Sequence, residues 1–165
     1  MNKYTITESN MDFIADTCDT YHIEKSQAYL GIGNSIKTVE FIRRKNNNLL
    51  FVEAKTTLAN PNNSANTAEL FNNEISDICE KFIHSLGLLS AIKVGIISEI
   101  LPLYLNYIGN VSLKFILVIR NHKTEWCRPI KQAIGQILPV HISKICRPEI
   151  FVINQATAQK YNIIK

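Results

Sequence analysis

Two stretches near the middle of the chain alternate with period two, residues 36 to 42 and residues 49 to 57, and the polar run Arg43-Arg-Lys-Asn-Asn-Asn48 separates them. Side chains alternate across a strand, so the pattern predicts a strand pair joined by a turn. Ile36, Thr38, Glu40 and Ile42 share one face of the first strand, and Val39 and Phe41 the other. In the second, Leu49, Phe51, Glu53 and Lys55 oppose Leu50, Val52 and Ala54. Apolar residues on both faces predict strands buried on two sides of an α/β sheet rather than a solvated hairpin. Downstream, Leu70, Phe71, Ile75, Ile78, Cys79, Phe82, Ile83 and Leu86 recur at three and four. Asn73, Glu74, Asp77, Glu80, Lys81 and His84 take the opposite side, so a long amphipathic helix is predicted. Asn66 and Glu69 have the spacing of a capping box at its start. Gly87 is one candidate end, and continuation through Val94 is the other.

Residues 113 to 119 and 149 to 153 are apolar enough to be buried strands. A helix is predicted over 125 to 138, with Trp126, Ile130, Ala133, Ile134 and Ile137 inward and Pro129 in the first turn, and a short helix over 155 to 161. Residues 10 to 20 suggest a short helix or turn. Residues 21 to 30 suggest a short helix or a strand-to-helix passage, with Ile23 and Leu30 inward, stopped by Gly31-Ile-Gly33. Residues 96 to 108 suggest a second apolar helix, or two pieces divided at Pro102, and 139 to 145 fit no single class. Strands alternating with helices predict a mixed or parallel sheet flanked by helices, in one domain over residues 1 to 165.

Composition changes this picture little. The chain has 165 residues and a formal charge of +4, ordinary for a globular domain. The charge is unevenly placed: residues 1 to 111 hold nine Lys/Arg against twelve Asp/Glu, and residues 112 to 165 hold nine against two. A basic last third is a hint of a nucleic-acid partner, and equally the signature of a solvated basic face. Cys18, Cys79, Cys127 and Cys146 form no CxxC pair, and no zinc site is expected. The N-terminus lacks the apolar core of a signal peptide, and the hydrophobic region over 86 to 119 is interrupted by Lys93, Glu99, Pro102 and Lys114. A cytoplasmic protein without a membrane span is expected.

The candidate chemistry lies in the strand pair. Glu53 and Lys55, at i and i+2, point the same way, and Glu40 stands on the preceding strand. Charges within a nearly continuous apolar run are costly unless they are paired or bind metal. An acid on one strand followed by Glu-x-Lys on the next resembles the active site of the PD-(D/E)XK nuclease superfamily. The predicted element order is also similar to the core of that superfamily, a restriction-endonuclease-like mixed β-sheet flanked by helices. The resemblance implies that Glu40 and Glu53 hold Mg²⁺ (or Mn²⁺), with the carbonyl of Ala54 completing the metal shell. It implies that Lys55 orients or helps deprotonate the attacking water. A further glutamate from the N-terminal helix is often added in the superfamily; Glu24 is the candidate here and Glu8 a poorer one. Two departures stand out. Glutamate occupies the first acidic position, where aspartate is usual, and Val39 rather than proline precedes it.

The expected function is therefore metal-dependent hydrolysis of DNA phosphodiester bonds, in restriction, repair or defence, with RNA left open as a substrate. A homodimer or a partner protein is the expected working form. Arg43, Arg44, Lys45, Arg120, Lys123, Arg128 and Lys131 are the candidate phosphate contacts. Two rival readings accompany this one: a non-catalytic nucleic-acid-binding or regulatory protein on the same fold, and an interaction protein using the apolar 88 to 108 region.

Overall fold

A computed structural model describes residues 2–33, 35–60, 65–107 and 109–165, without the side chains of residues 65 and 66. A polar loop is expected over 58 to 66; its residues 61 to 64, and the side chain of the cap candidate Asn66, lie outside the described residues. The centre is a five-stranded mixed sheet in the order β3-β4-β5-β6-β7, with β3 Thr20–Tyr21, β4 Phe41–Lys45, β5 Asn48–Lys55, β6 Ser112–Ile119 and β7 Glu149–Asn154. The first three strands pair antiparallel, and β5, β6 and β7 run parallel. Helices α2 (Ala65–Lys93) and α3 (Thr124–Ile137) link the parallel strands, as parallel pairing requires. Helix α1 (Gln27–Ile32) precedes β4, and α4 (Gln155–Lys160) closes the chain.

Each face of the sheet buries its own core, in line with the two-sided apolar pattern of β5. Leu49, Phe51, Phe115 and Leu117 pack under α2 and α3 with Ile75, Ile78, Phe82 and Ile134. Phe82 stacks on Phe115 at 4.5 Å and 4°, and Phe115 meets Phe51 edge to face at 5.7 Å. On the other face Val52, Ala54, Ile116 and Val118 pack against Met11, Phe13 and Ala158.

Several sequence expectations are corrected. Residues 10 to 20 are largely strand: β1 (Lys3–Glu8) and β2 (Met11–Asp16) form a separate antiparallel hairpin. Its turn is Ser9-Asn10, both at positive φ (51° and 57°), the backbone that matches strand twist in a two-residue hairpin. Met11, Phe13 and Ala15 are its buried alternation, interrupted in the sequence by Ile14 on the opposite face. The strand predicted over 36 to 42 begins only at Phe41. Ahead of it, side chains of α2 take the donors a ladder would use: Lys37 N–H donates to His84 Nδ1 and Val39 N–H to Ser85 Oγ. Val39 consequently faces the same core as Ile42. Helix α2 runs through Gly87 to Lys93, and Gly95 (φ +79°) ends the continuation. No long helix follows: among the described residues of 96 to 108 only a single 3₁₀ turn forms, Leu103–Leu105. Lys93 Nζ ties that segment back by donating to Leu105 O and Asn106 O. Leu30, Leu70 and Trp126, expected inside, are exposed at 60%, 58% and 38%. Pro129 sits in the second turn of α3, not the first. Residues 142 to 146 form one π-helical turn. No helix among the described residues is long and apolar enough to cross a membrane.

Candidate functional site

The antiparallel register pairs Phe41 with Val52, and Glu40 N–H donates to Val52 O at 3.1 Å. One step further along the same register, Glu40 stands opposite Glu53. Both carboxylates are buried, with Glu40 6% and Glu53 0% exposed. They lie where β5 approaches its carboxyl end, beside the 3₁₀ turn Ile23–Lys25 that carries Glu24. The structure therefore brings Glu24, Glu40 and Glu53 together around one cation. That cation is not Lys55 but Lys81, from the middle of α2. Its Nζ is 2.8 Å from Glu53 Oε1, 3.8 Å from Glu24 Oε1 and 3.9 Å from Glu40 Oε1.

Glu8, at the end of β1, adds a fourth carboxylate at the rim. Burial first and the Glu24 charge second raise its pKa. His22 Nε2 is 3.8 Å from Glu8, but burial pulls the imidazole down to about 4, so this is a contact with a neutral ring and not an ion pair.

The electrostatics follow from burial. Glu40 is pushed up to about 9, by desolvation first and then by the charges of Glu53 and Glu24, with Lys81 opposing. Glu53 is pushed up to about 7 by desolvation, against the Lys81 ammonium, its hydrogen bond and the Lys55 charge. Desolvation would lower Lys81, but Glu53, Glu40 and Glu24 together raise it. At neutral pH Glu40 holds its proton, because one ammonium cannot support all the surrounding negative charge in a buried site.

Lys55 is half-buried, acts on Glu53 through its charge, and makes no ion pair among the described residues. The carbonyl of Ala54 accepts a hydrogen bond from Ser9 Oγ at 3.1 Å, through which the β1–β2 turn is fastened to β5. Glu53 Oε2 is buried and has no hydrogen-bond partner; His22 Nε2 and Thr38 Oγ1, two residues before Glu24 and Glu40 respectively, are orphaned too. Such groups call for an explanation, and an ion is one.

Oxygen donors suit a hard divalent cation such as Mg²⁺ or Mn²⁺, and the orphaned Glu53 oxygen fits one. As arranged around the ammonium, no three His, Cys, Asp or Glu side chains among the described residues have metal-binding spacing.

The basic residues divide into two groups. Arg43, Arg44 and Lys45 lie along β4 toward its turn, the end away from Glu40. Arg43 donates from Nε and Nη2 to Asp19 Oδ2 and from Nη1 to Ile14 O, and Arg44 Nη1 donates to Tyr104 O. Arg120 follows β6 at the site end, where its N–H donates to Lys55 O at 2.9 Å. Lys123 leads into α3, exposed, with its Nζ 5.2 Å from the Trp126 ring. Arg128 and Lys131 are exposed farther along α3, and Lys131 Nζ sits 5.9 Å from the Phe151 ring.

Sequence reasoning placed Lys81 on the polar side of its helix and missed it. The signal was present: Lys81 is three residues after Ile78 and four before Ser85, both fully buried, which places it on the inward stripe. Comparison of the chain with protein-family models, characterised proteins and solved structures found no significant match. The chain has a mixed α/β fold with a carboxylate–lysine cluster at the carboxyl end of its central strand.

Proposed function

We propose that the chain is a divalent-metal-dependent nuclease acting on DNA, built on a restriction-endonuclease-like version of this fold. The observation that carries the reading is the convergence of Glu24, Glu40 and Glu53 from separate elements, with a buried, unpartnered Glu53 oxygen among them. The parallel β5–α2–β6 unit supports it by bringing Arg120 to the same strand ends as Lys55. Glu53 and Glu40, with Glu24 at the open side, would hold Mg²⁺ or Mn²⁺. Such an ion, when bound, supplies Lewis-acid stabilisation of a phosphodiester oxygen and a more acidic bound water. Lys55, charged and without an ion-pair partner among the described residues, orients the attacking water and offers its proton-donating Nζ to the developing negative charge. Arg120 and Lys123 hold the phosphate backbone against the strand ends.

The Lys81–Glu53 ion pair favours a second reading, in which the cluster is a structural charge network on a non-catalytic nucleic-acid-binding protein. Plasmid cleavage separates the two. Nicking or linearisation of supercoiled DNA is expected with Mg²⁺ or Mn²⁺ and not with EDTA, and Glu53→Ala and Lys55→Ala abolish it. DNA binding without cleavage in any divalent metal supports the structural network. Equal cleavage by all three proteins places the activity elsewhere.

A further inference from the structure

We propose that Lys81 is the resident counter-ion of the carboxylate cluster, and that a divalent cation enters by displacing its ammonium, so that this residue sets the metal affinity of the site. The inference rests on the metal-site reading above and goes beyond it in assigning a role to a residue of α2.

The geometry carries the argument. Lys81 Nζ lies within 3.9 Å of three carboxylates from three separate segments of the chain, the position a shared cation would take. One ammonium satisfies the cluster only in part: Glu53 Oε1 accepts its hydrogen bond, while Oε2 of the same fully buried side chain has no partner. The two partners differ in freedom. Glu53 is fixed on β5 at 0% side-chain exposure, whereas Lys81 is 19% exposed at the end of a flexible four-carbon stem. The lysine can therefore swing outward while the carboxylate stays. A doubly charged ion offers more charge and more coordination positions than the ammonium, so it can engage the orphaned oxygen as well. Two cations that compete for one set of oxygens must weaken each other, and the effect is reciprocal.

The test is Mn²⁺ binding followed by loss of the electron paramagnetic resonance signal of free Mn²⁺, for the unaltered protein, Lys81→Met and Lys81→Arg. Lys81→Met is expected to bind Mn²⁺ about tenfold more tightly, within the usual range of coupling between two ligands, and Lys81→Arg no more tightly than the unaltered protein. A second measurement needs no variant to be stable. In ¹⁵N spectra of lysine side-chain ammonium groups, the Lys81 resonance is expected to be hydrogen-bonded and visible without metal, and to be lost on titration with Mg²⁺. Unchanged or weaker Mn²⁺ binding by Lys81→Met, or a Lys81 resonance that persists while backbone signals around Glu53 report Mg²⁺ binding, overturns the displacement and leaves the metal site standing. No binding of either ion by any of the proteins overturns the metal site itself, and the displacement with it.

Discussion

The clearest physical consequence of the cluster is a stability that falls as pH rises, and Glu40→Gln isolates it. Unfolded, Glu40 ionises near the ordinary value of 4.5; folded, it holds its proton to about 9, through burial and the Glu53 and Glu24 charges. A carboxyl with a raised folded pKa contributes stability that is fully present below the unfolded pKa. That stability is lost as pH climbs through the folded one. Across the window from 4.5 to 9 the folded state binds up to one more proton than the unfolded state. The stability then declines by about 1.4 kcal/mol per pH unit. Between pH 7 and pH 9, allowing for the onset of ionisation near 9, the loss is about 2 kcal/mol. Glutamine mimics the protonated carboxyl and titrates nowhere. In Glu40→Gln the raised Glu53 remains, already part-ionised at pH 7, so its share over the same interval is small. Groups such as the cysteines titrate in both proteins and cancel in the difference. The assay is urea unfolding followed by circular dichroism at several pH values, with EDTA present to remove metal. From pH 7 to 9 the unaltered protein should lose about 2 kcal/mol more than Glu40→Gln does, and the variant should be the more stable of the two at pH 9. Parallel slopes for the two proteins would show that Glu40 is not the buried proton carrier, and the electrostatic account of the site would fail.

Three further outcomes follow from the packing and the charge layout. Phe82→Ala removes a fully buried ring stacked on Phe115 and should cost about 3–5 kcal/mol in urea unfolding, with a value below 1 refuting the central place given to that stack. Ser85→Ala leaves the buried Val39 N–H without its acceptor and should cost about 1–3 kcal/mol, and it should also loosen Glu40, seen as faster amide exchange at residues 39 and 40. Arg120→Ala and Lys123→Ala should each weaken DNA binding evenly across sequences and reduce the salt slope by about 1, whereas Arg43→Ala should lower stability through its Asp19 pair and leave the salt slope alone.

The sequence carried the parts of the structure that depend on period. The faces of β5, the buried strand β6 and the stripe of α2 were legible because apolar spacing reports directly on which side is covered, whereas β7 forms where expected but at the sheet edge, with only Val152 buried. Alternation placed Glu53 and Lys55 on one face, but the register that sets Glu40 opposite Glu53 came only with the fold. What escaped was decided by contacts distant in sequence. Strand β2 is held by the far end of the chain, where Phe13 bridges Ile164 and Ile14 N–H donates to Ile163 O. The stretch before Phe41 looks like strand, but His84 and Ser85 take its donors, and no local pattern announces that. Residues 96 to 108 are apolar enough for a helix, yet Gly95 and Pro102 divide them and Lys93 holds the 3₁₀ turn from outside. Lys81 is the instructive case. A lysine between buried residues at helical spacing is a polar group on an inward stripe, and only the fold shows which carboxylates repay its burial.

The claim at the centre of this account is that these carboxylates hold a divalent cation, and anomalous scattering from crystals grown with Mn²⁺ tests it most directly. The account predicts an anomalous peak in contact with the carboxylates of Glu53 and Glu40, with the Lys81 ammonium turned away from them. Ordered crystals at saturating Mn²⁺ with no peak between those carboxylates, and with Lys81 still bonded to Glu53, would contradict it.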